Sequence, residues 1–288
     1  MTETTQKVEV AVTGRKAVLN VRKWSVASPK GVAICFHGLS VNSAEFVLLA
    51  EELNKNQFDV ICPDWIGHGQ SSWLGIGDAY RWNNYASCLS KVIHAFGQPG
   101  RTHLLGCSYG GVVLLLFLLA SKFKPASATF VDVPVVARKE LIDFNRVIAE
   151  VMLQEFPDLE AAINYLHRKR PSLADFPCHV AEFLARNRFI KTGGAYRIAC
   201  DPAVSKGAEV EANTNFDFRP RLPCLHFDCL FLYGRLSPFS ERDWFLELTK
   251  SNGQIRFNDG LNAGHPPSLL TYEQVKPIVQ FMTERSLR

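Results

Sequence analysis

The sequence predicts an α/β protein with a mostly parallel central sheet flanked by helices. Short, continuously apolar runs alternate with longer segments of helical periodicity, and turn residues separate the two. In addition, a serine lies between glycines at the point where one apolar run gives way to a helical segment. Parallel strands need a crossover connection, which a helix usually supplies. The alternation therefore favours a parallel sheet over a series of hairpins.

The strands of this sheet are predicted in the first half of the chain and again near its end. They are 7–13, 17–24, 31–36, 59–63, 102–105, 128–131, 229–233 and 254–257. Between them we predict a helix that begins with Ser43 as its N-cap and reaches Asn54, a helix over 82–96 and another ending near Lys122. A loop over 258–267 precedes a final helix at 271–284.

The residues between the strands at 128–131 and 229–233 predict a separate, mainly helical unit without a strong core strand. Apolar residues recur at helical spacing from Arg138 to Phe156, Asp158 can cap a second helix, and Pro177 can begin a third. We therefore predict an α/β core made of residues 1–134 and 223–288. A helical cap of residues 135–222 would be inserted between core strands, over one edge of the sheet.

Composition favours an ordinary globular protein and argues against several classes. The 288 residues suit one large domain with an insert, and 47% apolar and 21% charged residues are a common balance. The basic run at 167–170 is typical of a solvated helix end, so no nucleic-acid partner is expected. The most apolar stretch, 112–120, is too short to span a membrane. The oligomeric state stays open.

The cysteines and the N-terminus favour a cytoplasmic protein. Several of the eight cysteines lie in apolar runs, and no Cys-x-x-Cys pair or Cys/His ligand spacing occurs, which predicts buried free thiols. Residues 1–7 are polar, so no signal peptide is expected. The sequence has no metal-ligand cluster, phosphate-binding loop or dinucleotide fingerprint, and we therefore expect no metal and no cofactor.

The functional hypothesis starts from the segment Gly106-Cys107-Ser108-Tyr109-Gly110-Gly111. Glycines around Ser108 permit a sharp strand-to-helix turn that exposes the serine hydroxyl at the end of the sheet. A serine hydroxyl needs a base to accept its proton, and His265, in the loop before the last helix, has an imidazole that titrates in the useful range. The alternatives are a small turn residue at Ser108 and an ordinary loop histidine at His265.

Four motifs, taken in order, resemble the α/β-hydrolase fold over nearly the whole chain. They are His37-Gly38 after the third strand, Asp64-x-x-Gly67-His68-Gly69-x-Ser71, the turn from Gly106 to Gly110, and Gly264-His265 before the last helix. The resemblance implies Ser108 as nucleophile and His265 as base. It also implies an oxyanion hole made by the backbone N–H groups of Leu39 and Tyr109. His37 and His68 match positions that stabilise turns around the active site.

The acid of the implied catalytic triad departs from the commonest family pattern. Many members carry an aspartate a few residues beyond a glycine after the strand at 229–233, where this chain has Ser237-Pro238. A subset of the family places the acid at the end of the preceding strand, which here is Asp132, and we predict Asp132 for this role. Its alternative is a turn-capping aspartate. Glu241 and Asp243 are the other candidates, and a triad without any acid is a further alternative.

The sequence therefore predicts a serine hydrolase that cleaves a carboxylic ester or a similar acyl bond, such as a thioester or lactone. Aromatic and aliphatic residues of the cap suggest an apolar pocket for a small-molecule substrate. Two alternatives stay open, because the fold and the triad do not separate them. One is a carbon–carbon bond hydrolase that uses the same serine and histidine. The other is a non-catalytic binding protein, suggested by the replaced acid position after Tyr233.

Overall fold

A sheet of eight strands forms the centre of the protein in a computed structural model, which describes residues 2–169 and 178–286. A second, three-stranded sheet lies in the inserted segment. In chain order the strands are β1 (Thr2–Val12), β2 (Arg15–Ser25), β3 (Gly31–Phe36), β4 (Phe58–Pro63), β5 (Thr102–Cys107), β6 (Ser127–Val131), β7 (Glu155–Phe156), β8 (Phe189–Thr192), β9 (Ala195–Ile198), β10 (Cys229–Gly234) and β11 (Ile255–Leu261).

Most of the α-helices lie near the predicted helical segments, but the helices at Val204–Ala212 and Arg242–Ser251 were not predicted. In chain order they are α1 (Val47–Lys55), α2 (Trp82–Phe96), α3 (Tyr109–Ala120), α4 (Lys139–Met152), α5 (Leu159–Lys169), α6 (Cys178–Arg188), α7 (Val204–Ala212), α8 (Arg242–Ser251) and α9 (Tyr272–Ser286). Short 3₁₀ helices cover Ser43–Phe46, Gly77–Tyr80 and Leu222–Cys224. Among the described residues, no helix is both long enough and apolar enough to cross a membrane.

The strand order of the main sheet is β1-β2-β4-β3-β5-β6-β10-β11. The pairs β1–β2 and β2–β4 are antiparallel, and the remaining neighbours are parallel. The predicted mostly parallel sheet is therefore confirmed. Because parallel strands end at the same edge, the residues that follow β3, β5, β6 and β10 meet there.

Helices cover both faces of this sheet, as the alternation along β3 shows. Ile34 and Phe36 belong to an apolar cluster shared with α2, α3 and α8, whereas Ala33 and Cys35 belong to a cluster shared with α1 and α9. Successive side chains of a strand point to opposite faces, so an apolar run such as β3 is buried on both sides. Six of the seven cysteines whose side chains are described are likewise buried free thiols, and Cys224 is exposed.

Several predicted boundaries differ from the structure. The first strand begins at Thr2, not at residue 7. Asn42, not Ser43, is the N-cap: Asn42 Oδ1 accepts the Ala44 N–H at 3.0 Å, while the Ser43 N–H donates to Asp64 Oδ1 at 2.8 Å. The helix it caps begins as a 3₁₀ turn. In addition, β11 continues to Leu261 because it pairs with β10 that far, so the loop predicted from residue 258 begins later.

The segment between β6 and β10 leaves the main sheet, although these two strands are parallel neighbours. It contains α4 to α7, but it is not only helical, since β7, β9 and β8 form the small antiparallel sheet. Gly193 and Gly194, with φ of 60° and 92°, join β8 to β9 in a hairpin turn that the helical expectation overlooked. Asp158 Oδ1 accepts the Ala161 N–H at 2.7 Å at the start of α5, whereas Pro177 lies outside the described residues.

The division into a core of residues 1–134 and 223–288 and a cap of residues 135–222 stays a prediction. The helix α4 packs mainly against α7 and also contacts β9, so the elements of the inserted segment associate with one another. The same segment also reaches the core through α6, which contacts the 3₁₀ helix Ser43–Phe46. The inserted segment therefore lies at the edge of the main sheet where β3 ends.

Candidate active site

Ser108 occupies the sharp turn between β5 and α3. Its backbone has φ of 47° and ψ of −118°, a conformation that costs a non-glycine residue about 1–3 kcal/mol. The turn is held on both sides. The Ser108 N–H donates to the Val131 carbonyl at 2.9 Å, and the Ser108 carbonyl accepts the N–H groups of Gly111 and Val112 at 2.9 and 3.1 Å. These bonds maintain the strained turn with the serine at its apex.

Two glycines of the motif are required by close backbone contacts. A Cβ atom on Gly106 would lie 2.5 Å from the Cα atom of Gly111, and one on Gly110 would collide with the carbonyl oxygen of His37. Any larger side chain at either position would push the turn away from α3 or from the end of β3. The glycine pattern therefore reflects the packing that positions Ser108, as the sequence predicted.

The three residues predicted for the triad lie in one hydrogen-bonded chain. Ser108 Oγ is 2.9 Å from His265 Nε2, and His265 Nδ1 is 2.9 Å from Asp132 Oδ1. The His265 and Asp132 side chains are 3% and 0% exposed. A proton on Nδ1 satisfies the carboxylate and leaves Nε2 to accept the Ser108 hydroxyl proton. The arrangement has the geometry of a nucleophile, a base and a group that orients the base.

Asp132 is fully buried at the end of β6, and both of its carboxylate oxygens are hydrogen-bonded. Oδ1 accepts the Ser237 hydroxyl at 2.5 Å as well as the His265 N–H, and Oδ2 accepts the Gly234 N–H at 3.0 Å. Its backbone has φ of 52°, which turns the chain away from β6. A buried carboxylate is costly unless such donors surround it. Three hydrogen-bond donors thus surround this carboxyl group and fix its position.

The other acid candidates make different contacts. The Glu241 carboxylate forms ion pairs with Arg138 and, at 3.5 Å, with Arg219. Asp243 is exposed in the first turn of α8. Neither residue is brought to His265, whose ring nitrogens bond to Ser108 and Asp132.

Two aromatic rings surround the imidazole: Phe144, expected from the sequence only as an apolar residue of the cap, and Phe239, which the sequence did not single out. The rings of Phe144, on α4, and Phe239 pack edge-on against His265, with centroid distances of 4.9 and 4.4 Å. Ser237 stands where the commonest family pattern has an aspartate, and its hydroxyl donates to Asp132. These contacts connect elements distant in sequence, so no local motif could reveal them.

His37 and His68 have the buried, hydrogen-bonded environments of structural residues. His37 Nδ1 is 2.8 Å from the Gly38 carbonyl, and its Nε2 accepts the Trp65 N–H at 3.0 Å. Burial lowers the pKa of His37 to about 4 and that of His68 to about 3, so both rings are neutral near pH 7. Their contacts fix the turns that follow β3 and β4.

A cavity of about 280 Å³ opens beside Ser108 and His265. Leu39 and Tyr109, predicted to form the oxyanion hole, line it next to the serine. Apolar side chains form most of the remaining wall, and α4 supplies a continuous face of them: Leu141, Phe144, Val147, Ile148 and Val151. Of the cap aromatics expected at a pocket, Phe144, Tyr165 and Phe189 line it, and Trp82 and Phe216 join them. The cavity can therefore hold an apolar group next to the serine hydroxyl.

Comparison with known proteins agrees with this architecture. Residues 32–158 match the family model described as the alpha/beta hydrolase fold. That segment includes β3 to β6, the serine turn and Asp132. The chain therefore has the α/β-hydrolase fold, with the family match covering residues 32–158.

Two solved structures resemble nearly the whole chain. An α/β hydrolase from Novosphingobium aromaticivorans has a TM-score of 0.78 and 21% sequence identity, and the match covers 98% of each chain. A thermophilic esterase from Thermogutta terrifontis has a TM-score of 0.70 and 20% identity, over 97% of this chain and 99% of that one. At such identities the likeness defines the fold.

A sequence relative matches over a shorter stretch. It is a 3-hydroxybutyrate-oligomer hydrolase from Cupriavidus necator, 29% identical over 91 residues. The matched stretch is 32% of this chain and 30% of the relative, so the chain spans less than a third of that protein's length in the comparison.

Proposed function

We propose that this protein is a serine hydrolase that cleaves a carboxylic ester or a similar acyl bond, such as a thioester or lactone. The observation that carries the proposal is the hydrogen-bonded chain from Ser108 Oγ through the His265 imidazole to Asp132. The apolar cavity beside Ser108 supports it, because that cavity can receive an acyl or alcohol group.

In the first half of the proposed reaction, Ser108 Oγ attacks the substrate carbonyl carbon as its proton moves to His265 Nε2. The imidazolium that forms is stabilised by the Asp132 side chain, which also fixes the tautomer of the ring. The backbone N–H groups of Leu39 and Tyr109 donate to the carbonyl oxygen as it becomes an oxyanion. A single donor of this kind contributes roughly 10²–10³-fold to turnover.

The tetrahedral intermediate then collapses. His265 gives its proton to the oxygen of the departing alcohol or to the sulfur of the departing thiol. The acyl group remains esterified to Ser108. A water molecule attacks this ester with His265 as its base, and the second tetrahedral intermediate releases the carboxylic acid. The proton held by His265 returns to Ser108 Oγ, so the enzyme ends as it began and the net reaction consumes one water.

The contacts of His265 bear on one alternative considered from the sequence, a non-catalytic binding protein. The binding-protein alternative was motivated by the replaced acid after Tyr233, and the bond between His265 and Asp132 removes that motive. The esterase from Thermogutta terrifontis and the oligomer hydrolase from Cupriavidus necator act, by their names, as hydrolases, which supports hydrolysis here. The proposed cap, residues 135–222, would shape the pocket through α4.

The test is turnover of p-nitrophenyl esters of increasing acyl length by the wild-type protein and by Ser108→Ala. We expect hydrolysis by the wild type and a loss on the order of 10⁵–10⁶-fold in kcat for Ser108→Ala, as for other serine nucleophiles. Ser268→Ala is the matched control, because Ser268 lines the same cavity but donates to Gln274. Equal turnover by wild type and Ser108→Ala would contradict the proposal.

A further inference from the structure

The cavity beside Ser108 carries its charges in pairs. Glu45, on the 3₁₀ helix, forms an ion pair with Arg188 at the end of α6, and both side chains line the cavity. Glu211 of α7 also lines it and accepts the Arg81 Nε–H at 2.6 Å. Among the described lining residues, these three are the side chains of the Asp, Glu, Lys and Arg types. Each of them is already matched with a group of opposite charge.

These side chains are largely withdrawn from water. The exposed fractions are 10% for Glu45, 8% for Arg188 and 8% for Glu211. An ionised group in such a place is stable only when an opposite charge or several hydrogen bonds compensate its lost hydration. The partner of each charge is supplied by the protein itself, across the contact between the inserted segment and the core.

A charged group of a ligand would find no such compensation here. The wall that α4 provides is apolar except for Asn145, and the guanidinium of Arg188 is engaged by Glu45. An entering carboxylate would lose its hydration, and it would meet the Glu45 carboxylate beside that guanidinium. An aliphatic or aromatic group would gain from burial instead, at about 25 cal/mol per Å².

We propose that the part of the substrate that enters this cavity is uncharged and apolar, and that Glu45 sets this selectivity by neutralising Arg188. The substrate class is thus an ester with a neutral hydrocarbon acyl or alcohol chain, and half-esters of dicarboxylic acids are rejected. The proposal rests on the proposed function only in assuming that an ester or similar acyl bond lies at Ser108. Charge selection in the cavity needs no turnover.

The test uses binding to Ser108→Ala, so that no ester is consumed. Three ligands share one acyl chain: the monomethyl ester of adipic acid, its primary amide, and the isostere with an isopropyl group in place of the carboxylate. Isothermal titration calorimetry should show that the isopropyl ester binds at least about tenfold more tightly than the carboxylate ester, with the amide between them.

Adding Glu45→Gln to Ser108→Ala should shift this ratio by at least about tenfold toward the carboxylate ester, because the Arg188 charge is then uncompensated by Glu45. Glu45→Asp retains the charge and should keep the original ratio. Glu52→Gln is the matched control. It removes a carboxylate that pairs with Lys55 on the surface of α1, away from the cavity.

Three results would overturn the proposal. They are equal binding of the carboxylate and isopropyl esters to folded Ser108→Ala, no binding of the isopropyl ester, and an unchanged ratio in folded Glu45→Gln. If Glu45→Gln does not fold, the ligand series on Ser108→Ala decides alone. If the wild type hydrolyses none of these esters while the binding ratio holds, the proposed function fails and the charge selectivity stands.

Discussion

The ends of β6 and β10 reach the same edge of the sheet as parallel neighbours, yet they serve His265 differently. The chain after β6 places Asp132 directly on the imidazole, whereas the chain after β10 places Ser237, a hydroxyl, on Asp132. The β10 end also contributes the Gly234 N–H to the same carboxylate. One strand therefore presents the acid, and its neighbour presents two donors that fix this acid.

The carboxyl group beside the histidine can follow either of these two neighbouring strands, because both end at the same edge of the sheet. In many members of the superfamily the acid follows the strand that corresponds to β10, and here that place holds an uncharged donor. The loop after β10 still contacts the imidazole, since Phe239 packs on the His265 ring and its N–H donates to Ser237 Oγ at 3.2 Å. The loop after β10 therefore supports the Asp132 carboxyl group and does not supply an acid to His265.

The largest effect on this comparison is expected from Asp132→Asn. The amide keeps the shape of the side chain but cannot hold the Nδ1–H tautomer or stabilise the imidazolium. We expect kcat for a p-nitrophenyl ester to fall on the order of 10³–10⁴-fold. Steady-state kinetics would measure it, with circular dichroism as the control for folding. Full activity in this variant would show that Asp132 does not serve His265.

The second-largest effect on kcat is expected from moving the carboxyl group from the end of β6 to the loop after β10. Ser237 Oγ and His265 Nδ1 are both hydrogen-bonded to Asp132 Oδ1, so a carboxylate at position 237 lies within reach of the ring. We expect Asp132→Asn combined with Ser237→Asp to recover at least about tenfold in kcat over Asp132→Asn alone. Asp132→Asn combined with Ser237→Asn is the isosteric control. Equal kcat values in the two double variants would mean that position 237 cannot take over the role.

Removing only the supporting hydroxyl should have a smaller effect. Ser237→Ala deletes the 2.5 Å bond to Asp132, and a hydrogen bond to a charged group is worth about 1.5–3 kcal/mol. We therefore expect kcat to fall by roughly tenfold, with KM nearly unchanged. Ser237→Thr, which keeps the hydroxyl, should restore the wild-type kcat. An unchanged kcat in Ser237→Ala, or a fall that Ser237→Thr does not reverse, would exclude this positioning role.

The smallest effect is expected at the acid candidates after β10 that do not contact His265. Glu241→Gln removes the charge that pairs with Arg138 and Arg219, and Asp243→Asn changes an exposed side chain. Turnover should stay within about twofold of wild type in both, although Glu241→Gln should lower the free energy of unfolding by about 1 kcal/mol in urea titration. A loss of turnover comparable to that of Asp132→Asn would relocate the acid.

Local sequence signals predicted the parts of this molecule that depend on local chemistry. Apolar runs located the strands of the parallel sheet, and the glycines around Ser108 reflect backbone collisions that any larger side chain would cause. The choice of His265 and Asp132 came from the resemblance to the α/β-hydrolase fold, which gives a residue before the last helix and one at the end of a core strand these roles. The structure brings both to Ser108.

The parts that were missed depend on contacts between segments far apart in the chain. Strands of two to four residues in the inserted segment are too short for a periodic pattern, although the Gly193-Gly194 pair between two apolar-rich stretches was a usable hairpin signal. The pairing of Glu45 with Arg188 joins residues 143 positions apart, so the sequence gives no local trace of it.

The most direct test of the account is the mass of the intact protein after treatment with a fluorophosphonate, followed by peptide mapping of the adduct. A serine made nucleophilic by His265 and Asp132 should acquire one adduct, on Ser108, and the labelling rate should fall strongly in His265→Ala and in Asp132→Asn. Absence of an adduct on the folded wild-type protein, or labelling of Ser108 at the same rate in all three proteins, would contradict the proposed triad.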